Sequence, residues 1–341
     1  MTRMAILGAG SWGTGLSVVL SQARKSHEIS LWAHNRAQAE MLQNRRENST
    51  YLAGVRLPDG IRVTHDMPTA LASAQVVIGA LPSVYARSVY SQALPSVTSV
   101  TPEMIFVSAT KGLEPATHLR ISLVLAQVLE KAGNVKPAGR IAVLSGPSFA
   151  AEAARGEPTA VVLAAEDRAL AGRLQEELSG PSFRLYTNDD VLGVELAGAM
   201  KNVIAIAAGA CQGLGLGSNP LAALITRGLA EMMRLAAELG ARPETLGGLA
   251  GLGDLVLTCT GALSRNRHVG IELGKGRKLA EILAGMRMVA EGVDTVVPLL
   301  ALAREHGMEL PITEQVDAIL HRGRSPKDAI REIMDRPLKR E

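Results

Sequence analysis

The chain has 341 residues, enough to bury two hydrophobic cores, so we expect two domains. Its net charge of +3 arises from 36 basic and 33 acidic residues without a basic block, and only 3% of its residues are aromatic, so nucleic-acid binding is not indicated. The two cysteines, Cys211 and Cys259, do not form a metal-ligand cluster, so we expect no bound metal and two reduced, buried thiols.

The N-terminal segment has some features of a signal peptide. Arg3 precedes an apolar run to Leu20, and Ser21-Gln22-Ala23 follows it as a faint cleavage-site pattern. The glycines and the tryptophan within the run argue against export, as does a second strand pattern at 27–33. Since each apolar run of about 18 residues contains charges or glycine clusters, we expect no transmembrane segment and a cytoplasmic protein.

Alternating strands and helices are predicted for the first half of the chain. The predicted strands are Arg3–Leu7, Glu28–Trp32, Arg62–Thr64, Gln75–Ala80, Ile105–Ser108, Ile141–Leu144, Thr159–Leu163 and Phe183–Tyr186. Helical patterns lie between them at Thr14–Leu20, Leu119–Ala132 and Arg168–Leu178. Continuous Val, Ile and Ala runs are typical of parallel strands that helices cover on both faces. The sequence therefore predicts an α/β, doubly wound (Rossmann-type) dinucleotide-binding domain over residues 1–188.

The second half is predicted to be mostly α-helical. Strand signals stop after Asn188, and helical periodicity marks Val191–Gln212, Leu221–Leu239, Ala290–His306 and Ile312–Leu320. The charge-rich stretch Lys327–Glu341 predicts a solvated final helix and tail. We therefore expect an α-helical, substrate-binding domain over residues 189–341.

A glycine turn follows the first predicted strand. Gly8, Gly10 and Gly13 have G-x-G-x-x-G spacing, and a helix is predicted directly after them. Glycines let the backbone approach a pyrophosphate, while the helix N-terminus supplies N–H groups and partial positive charge. The pattern favours a dinucleotide site over a plain turn. Gly15 is expected to permit close packing between helix and strand.

The loop after the second predicted strand indicates which dinucleotide binds. NAD sites usually carry an Asp or Glu here, which accepts hydrogen bonds from the ribose 2′-OH. This chain has His34, Asn35 and Arg36 instead, and the first acidic residue after this predicted strand is Glu40. Donors and positive charge suit a 2′-phosphate, so we expect NADP(H); use of NAD(H) stays open, as does an exposed polar loop without a ligand.

Polar residues also follow two later predicted strands. Lys111 comes shortly after Ile105–Ser108, and Ser145-Gly-Pro-Ser148 follows the strand that ends at Leu144. Ligands of open α/β sheets bind beyond the carboxyl ends of strands, so both segments face the predicted crevice. Each segment by itself is equally compatible with an ordinary loop.

Lys201 stands out because its predicted helix face is apolar. Its neighbours one turn away are Ala197, Gly198, Ile204 and Ala205. An unpaired buried ammonium is costly, so such a lysine usually has a function, although it can also extend its charged end to solvent at a helix–helix seam. Desolvation would make it a proton donor to a reacting carbonyl.

Two further polar groups could complete a site. Asp254 ends the glycine-dense turn at 247–254 and could pair with a buried lysine. Ser264, Arg265 and Asn266 offer a hydroxyl, a guanidinium and an amide in succession. That cluster suits a phosphate monoester, because arginine binds phosphate with two parallel hydrogen bonds.

Taken together, these segments resemble those of bacterial NAD(P)-dependent sn-glycerol-3-phosphate dehydrogenase. The motifs run in family order from Leu7 to Glu314 and cover nearly the whole chain. They are Gly8-Ala-Gly-Ser-Trp-Gly-Thr, Ser108-Ala-Thr-Lys-Gly-Leu-Glu, Leu144-Ser-Gly-Pro-Ser, Lys201-Asn202, Leu224-Ile-Thr-Arg-Gly, Gly253-Asp-Leu-Val-Leu-Thr-Cys-Thr, Ser264-Arg-Asn, Glu291-Gly-Val and Leu310-Pro-Ile-Thr-Glu314.

The resemblance implies reversible, NAD(P)-dependent conversion of dihydroxyacetone phosphate to sn-glycerol 3-phosphate, a precursor of glycerophospholipids. It implies cofactor contacts from Gly8, Gly10, Ser11, Trp12, Gly13, His34, Asn35, Lys111, Ala150, Arg265, Val289 and Glu291. It implies substrate contacts from Lys111, Gly146, Ser148, Lys201, Asp254, Ser264, Arg265 and Asn266. Lys201 would be the catalytic acid and base, with Lys111 and Asp254 as further catalytic residues.

Two other functions are alternatives to this one. A related two-domain reductase such as ketopantoate reductase would need a carboxylate site, whereas Ser264-Arg-Asn fits a phosphate better. A redox sensor that binds NADP(H) without turnover would leave Lys201 unexplained. Many family members have an arginine where this chain has Asn35, with Arg36 one place later, which leaves the strength of the NADP preference open. A homodimer is compatible with the sequence.

Overall fold

The structure is a computed structural model that describes residues 1–93, 104–131, 139–338 and 340. Its internal contacts divide the chain into two compact units. Unit 1 comprises Met1–Glu114 and Leu119–Glu195, and unit 2 comprises Pro115–His118 and Leu196–Glu341. The domain boundary after residue 188 stays a prediction.

Unit 1 is built on an eight-stranded sheet. Its chain contains strands β1 (Thr2–Leu7), β2 (His27–Trp32), β3 (Glu47–Asn48), β4 (Leu52–Arg56), β5 (Ile61–Thr64), β6 (Val76–Gly79), β7 (Ile105–Ser108), β8 (Ile141–Ser145), β9 (Thr159–Ala164) and β10 (Phe183–Asn188). The sheet order is β10-β9-β8-β7-β6-β1-β2-β5, and β3 pairs with β4 in a separate hairpin. All eight predicted strands lie in the large sheet, but the hairpin was not predicted.

The strand directions correct one expectation. Strands β1, β2, β5, β6, β7 and β8 are mutually parallel, but β9 pairs antiparallel with β8, and β10 is parallel to β9. The segment between β8 and β9 reverses the chain once, so the sheet is mixed at this end. Strand β1 lies between β2 and β6, which makes its carboxyl end the point where successive strands diverge to opposite sides.

Helices cover the sheet and bury its apolar side chains. They are α1 (Ser11–Ser21), α2 (Arg36–Arg45), α3 (Met67–Leu71), α4 (Ser83–Ala93), α5 (Ile121–Lys131), α6 (Ala150–Ala154) and α7 (Arg168–Leu178). Alternate residues of β1 enter two different hydrophobic clusters, Met4 and Ile6 in one and Ala5 and Leu7 in the other. Both faces of the strand are therefore buried, as its continuous apolar run predicts. The predicted helix Leu119–Ala132 begins at Ile121, and Ala132 lies outside the described residues.

Within the described residues, the regular secondary structure of unit 2 is helical. Helix α8 (Val191–Gly213) begins in unit 1 and continues into unit 2. It is followed by α9 (Ser218–Glu238), α10 (Pro243–Gly247), α11 (Asp254–Thr260), α12 (Arg265–Gly274), α13 (Leu279–Ala284), α14 (Glu291–Glu305), α15 (Pro311–His321) and α16 (Pro326–Met334). Part of the run predicted as a glycine turn, Leu249–Gly253, is instead a π-helical turn that leads into α11. Residues 339 and 341 of the predicted tail lie outside the described residues.

Helices α8 and α12 pack with their backbones in close approach. A Cβ atom on Gly209 would lie 2.0 Å from the carbonyl oxygen of Arg267, and one on Gly270 would lie 2.0 Å from that of Ile206. Only glycine fits at such positions without a shift of the backbone. This packing sets the first turn of α12 beside the middle of α8, where Lys201 and Asn202 lie.

Helix α8 is the one described helix that is long and apolar enough to cross a membrane. However, 89% of the window that meets this criterion is buried inside the protein. Burial of this kind is typical of a core helix and gives only weak support for a membrane span.

Candidate active site

The glycine turn between β1 and α1 has the shape of a dinucleotide site. Gly8 has a φ of +109°, and a Cβ atom on Gly13 would lie 1.8 Å from the Gly8 carbonyl oxygen. Gly10 is the N-cap of α1, and a Cβ atom there would meet nothing within 4 Å. The backbone thus leaves open space in front of an 11-residue helix N-terminus, which suits a pyrophosphate.

Two side chains that sequence reasoning missed hold this turn. Gln38 Nε2 donates to the Ala9 carbonyl at 2.7 Å, and Asn48 Nδ2 donates to the same oxygen at 3.0 Å. Asn48 Nδ2 also donates to Thr14 Oγ1 at 2.7 Å. No sequence motif marks these residues, because their shared partner is a backbone carbonyl.

Residues next to the turn include three that are predicted to contact the cofactor. Ser11 and Trp12 form the first turn of α1, and the buried Trp12 Nε1 has no hydrogen-bond partner among the described residues. A Cβ atom on Gly15 would lie 3.0 Å from the Ala150 carbonyl oxygen, so Gly15 permits close packing against helix α6 and not, as expected, against a strand. Ala150 therefore lies beside α1.

The loop predicted to select the cofactor is exposed. Asn35 is the N-cap of α2, and its Oδ1 accepts from Gln38 N at 3.2 Å. Arg36 Nε donates to Glu40 Oε1 at 2.8 Å on the surface of α2. The His34 ring packs edge-on against Trp32 with ring centroids 5.9 Å apart. The loop carries donors and positive charge, although Glu40 offsets part of that charge.

Lys111, Gly146 and Ser148 lie together at the carboxyl ends of β7 and β8. Lys111 Nζ donates to the Gly146 carbonyl at 2.8 Å and to Ser148 Oγ at 3.3 Å. Ser148 Oγ donates to the same Gly146 carbonyl at 2.9 Å. The structure therefore brings these three predicted substrate residues into one cluster within unit 1.

A second cluster in unit 2 surrounds Lys201. Its Nζ lies 2.6 Å from Asp254 Oδ1 and 2.8 Å from Thr258 Oγ1, and the two charged side chains are only 7% and 1% exposed. Thr258 Oγ1 donates in turn to the Asp254 carbonyl at 2.6 Å. Thr258 was not predicted as a site residue, yet it lies one helical turn after Asp254, which is the signal that could have identified it.

Beside Lys201, a chain of amides joins three helices. Asn266 Nδ2 donates to Asn202 Oδ1 at 2.9 Å, and Asn202 Nδ2 donates to the Gly198 carbonyl at 3.1 Å. Asn266 Oδ1 accepts from Gly292 N at 2.9 Å. Both Asn266 and Asn202 are buried. The chain fixes α8, α12 and the start of α14 relative to one another.

The cluster Ser264-Arg-Asn lies at the start of a helix. Ser264 is the N-cap of α12, and its Oγ accepts from Arg267 N at 3.2 Å. Arg265 is exposed, and its Nη1 donates to the Val289 carbonyl at 2.8 Å. A cavity of about 270 Å³ opens here, lined by Arg265, His268 and Arg287 among others. Helix-end N–H groups and three basic side chains favour an anionic ligand.

Two family profiles match the chain. The profile described as the N-terminus of NAD-dependent glycerol-3-phosphate dehydrogenase matches residues 3–171, and the profile described as its C-terminus matches residues 190–331. The chain belongs to this family.

Full-length relatives agree with this assignment. The chain is 52% identical to glycerol-3-phosphate dehydrogenase (NAD(P)+) of Koribacter versatilis over 99% of this chain and 98% of the relative. It is 51% identical to the enzyme of that name from Acidobacterium capsulatum over 99% of each chain. The crystal structure of glycerol-3-phosphate dehydrogenase from Coxiella burnetii superposes with a TM-score of 0.91 at 40% identity, covering 98% of this chain and 99% of that one. These matches support an NAD(P)-dependent oxidoreductase and not the ketopantoate reductase or sensor alternatives.

In this dehydrogenase, the predicted site residues form local clusters within each unit. Unit 1 holds the glycine turn, the loop at His34 and the Lys111 cluster, and unit 2 holds the Lys201 cluster and the start of α12. Glu291 begins α14 next to Gly292, which binds the Asn266 amide. Of the two cysteines, Cys259 is buried and Cys211 is partly buried, which corrects the expectation that both are buried. Burial raises the pKa of the Cys259 thiol to about 12.

Proposed function

We propose that the enzyme reduces dihydroxyacetone phosphate to sn-glycerol 3-phosphate in the cytoplasm, reversibly, and so supplies the backbone of glycerophospholipids. The cofactor is NADPH, with NADH as a weaker substitute. The substrate is a small phosphorylated molecule, and a homodimer is the assembly that we propose.

The observation that carries this proposal is the buried ion pair of Lys201 and Asp254. A buried ammonium costs several kcal/mol unless it is paired and hydrogen-bonded, so its presence on an apolar helix calls for a function. Reduction of a ketone requires a proton for the carbonyl oxygen as it becomes an alkoxide. An ammonium that a carboxylate and a hydroxyl hold at 2.6 and 2.8 Å is suited to deliver that proton.

In the proposed mechanism, Lys201 polarises the C2 carbonyl of dihydroxyacetone phosphate and then protonates its oxygen. The nicotinamide cofactor, when bound, would supply the hydride that C2 accepts. Asp254 keeps Lys201 charged before the reaction, because a neighbouring carboxylate favours the protonated amine. Thr258 helps to fix the direction of the ammonium. In glycerol 3-phosphate oxidation the steps reverse, and neutral Lys201 accepts the hydroxyl proton.

The phosphate of the substrate is proposed to bind at the start of α12. Ser264 and the first-turn N–H groups of α12 provide neutral donors and partial positive charge, and Arg265 provides a formal charge. Asn266 is proposed to contact the substrate through an amide whose orientation is already fixed by Asn202 and Gly292. Lys111, Gly146 and Ser148 are proposed to complete the binding of the substrate.

The cofactor is proposed to lie along the carboxyl end of β1. The turn at Gly8, Gly10 and Gly13 would hold the pyrophosphate, with Ser11 and Trp12 beside it. His34 and Asn35 would contact the adenosine ribose and its 2′-phosphate. Further cofactor contacts are proposed from Lys111, Ala150, Arg265, Val289 and Glu291.

Oxidation of NADPH and NADH by the purified protein tests this function. We expect absorbance at 340 nm to fall with dihydroxyacetone phosphate and to stay constant with ketopantoate, which carries a carboxylate in place of the phosphate. Turnover of ketopantoate alone would contradict the proposal. Binding of NADPH without turnover of either ketone would instead support the sensor alternative.

A further inference from the structure

The carbonyl of Ala9, inside the glycine turn, accepts hydrogen bonds from two side-chain amides. Gln38 Nε2 lies 2.7 Å from this oxygen and Asn48 Nδ2 lies 3.0 Å from it. Ala9 is buried, so this carbonyl needs partners from within the protein. Two amides from separate elements therefore fix one peptide of the turn.

That peptide group carries the N–H of Gly10. In a planar trans peptide, the carbonyl oxygen and the amide hydrogen point in opposite directions. Holding the Ala9 oxygen toward Gln38 and Asn48 therefore turns the Gly10 N–H away from them. A Cβ atom on Gly10 would meet nothing within 4 Å, so the turn has room for a ligand at this residue.

The two amides differ in what else they hold. Asn48 is fully buried, donates to Thr14 Oγ1, and accepts from Tyr51 N at 3.2 Å, so it also stabilises α1 and the β3–β4 hairpin. Gln38 lies in the first turn of α2, and its own backbone N–H donates to Asn35 Oδ1. Gln38 is thus bonded at one end to the glycine turn and at the other to the loop at His34–Arg36.

We propose that Gln38 is a positioning residue for the dinucleotide, which sets the spacing between the pyrophosphate turn and the loop that receives the adenosine ribose. The inference rests on the cofactor site of the proposed function. Gln38 orients the Gly10 N–H toward the pyrophosphate and holds Asn35 in register with it. Since the pyrophosphate is common to both cofactors, and the bond to Asn35 comes from the Gln38 backbone, the Gln38 side chain supports NADPH and NADH equally and does not discriminate between them.

The test compares dissociation constants for NADPH and NADH, measured by calorimetry without substrate. Gln38→Met keeps the side-chain length and removes the donor. We expect both constants to rise by the same factor of about 3 to 10, as for loss of one neutral hydrogen bond. The kcat and the KM for dihydroxyacetone phosphate should change less than twofold at saturating cofactor, because the site around Lys201 is untouched.

Gln43→Met is the matched control. Gln43 lies on the same helix, and its Oε1 accepts from Val63 N at 3.0 Å, so this variant also loses a bond to the backbone. Both variants should lower the thermal midpoint, but only Gln38→Met should weaken cofactor binding. Equal cofactor affinity of the two variants would show that Gln38 has a merely structural role and would overturn the proposal.

Gln38→Glu provides a second test, because a merely structural role of Gln38 would not make the cofactor affinity of this variant depend on pH. An ionised carboxylate has no donor and repels the Ala9 carbonyl, whereas a protonated one can donate to it. We expect the NADH affinity of Gln38→Glu, relative to wild type, to be lowest at pH 8 and to recover as the pH falls toward about 4, where a glutamate of ordinary pKa is largely protonated; a ratio that does not change with pH would contradict the proposed bond from this side chain to the Ala9 carbonyl. Wild-type protein that binds both cofactors but does not reduce dihydroxyacetone phosphate would refute the proposed reaction and leave this inference standing.

Discussion

The ammonium of Lys201 on α8 and the carboxylate of Asp254 at the start of α11 form a buried ion pair with an N–O distance of 2.6 Å. The pair joins two helices that are 53 residues apart in sequence at this contact. Because neither charge is well solvated, each depends on the other for its charged state. The stability of unit 2 and the proposed chemistry are therefore linked through the same two atoms.

This dependence predicts non-additive effects on stability. Lys201→Met removes the cation that faces the buried Asp254 carboxylate, and loss of one partner from a buried ion pair costs about 3–5 kcal/mol. Asp254→Asn likewise removes the negative charge that faces the buried ammonium. We expect the double variant Lys201→Met/Asp254→Asn to unfold in urea at a higher concentration than Lys201→Met alone. A double variant less stable than both single variants would show that the two charges do not depend on each other.

Arg265 is predicted to bind the substrate phosphate. Arg265→Ala should raise the KM for dihydroxyacetone phosphate by about 10- to 100-fold, the range for a charge-assisted hydrogen bond of roughly 1.5–3 kcal/mol. Inorganic phosphate should compete with the substrate in the wild type and much less in the variant. Arg304→Ala, which removes an exposed arginine from α14, is the control. An unchanged KM together with unchanged phosphate inhibition would place the phosphate elsewhere.

Asn35 is predicted to influence cofactor choice. Asp and Asn are equally good N-caps, so Asn35→Asp should keep the bond to Gln38 N and the start of α2. The new charge should repel a 2′-phosphate and accept from a 2′-OH, which reverses a modest preference for NADPH. The check is kcat/KM for both cofactors at one ionic strength. A wild type that already favours NADH would contradict our interpretation of this loop but not the assigned reaction.

A pH effect on stability is expected at the end of α12. Lys275 and Arg277 lower the pKa of Glu272 to about 2. Because this pKa is depressed in the folded state, Glu272 makes its full contribution to the free energy of unfolding above its ordinary pKa near 4.5. That contribution is lost as the pH falls toward 2. The Tm difference between wild type and Glu272→Gln should therefore be largest at neutral pH and shrink below pH 4.5. Glu281→Gln, on α13, is the control variant, and an equal trend in both variants would show that the contacts with Lys275 and Arg277 are not the cause.

Much of the fold could be predicted because strands that are buried on both faces appear in the sequence as continuous apolar runs. The strand Ile105–Ser108 has the predicted bounds, and all four of its residues are buried. An apolar run does not indicate the direction of a strand, and the antiparallel pairing of β8 with β9 was therefore missed. The hairpin was missed because β3 has only two residues, and because β4, with the sequence Leu-Ala-Gly-Val-Arg, is not a continuous apolar run.

The chemistry of the site was also partly accessible from the sequence. A lysine on an apolar helix face requires an anionic partner, and the structure places Asp254 against it. Gln38 and Asn48 were not predicted, because they bind a backbone carbonyl and any residue at that carbonyl would accept the same bonds. The roles of the site residues in binding and catalysis stay predictions.

The central claim is that Lys201 protonates the carbonyl oxygen of dihydroxyacetone phosphate. Its most direct test is the kcat for NADPH oxidation with saturating dihydroxyacetone phosphate, compared between wild type, Lys201→Met and the double variant Lys201→Met/Asp254→Asn, which relieves the buried charge. Lys278→Met, at the exposed start of α13, is the control. We predict that both Lys201 variants lower kcat by at least about 100-fold, as expected for loss of a positioned acid, while they bind NADPH with wild-type affinity. Near wild-type kcat in either folded variant would contradict the claim.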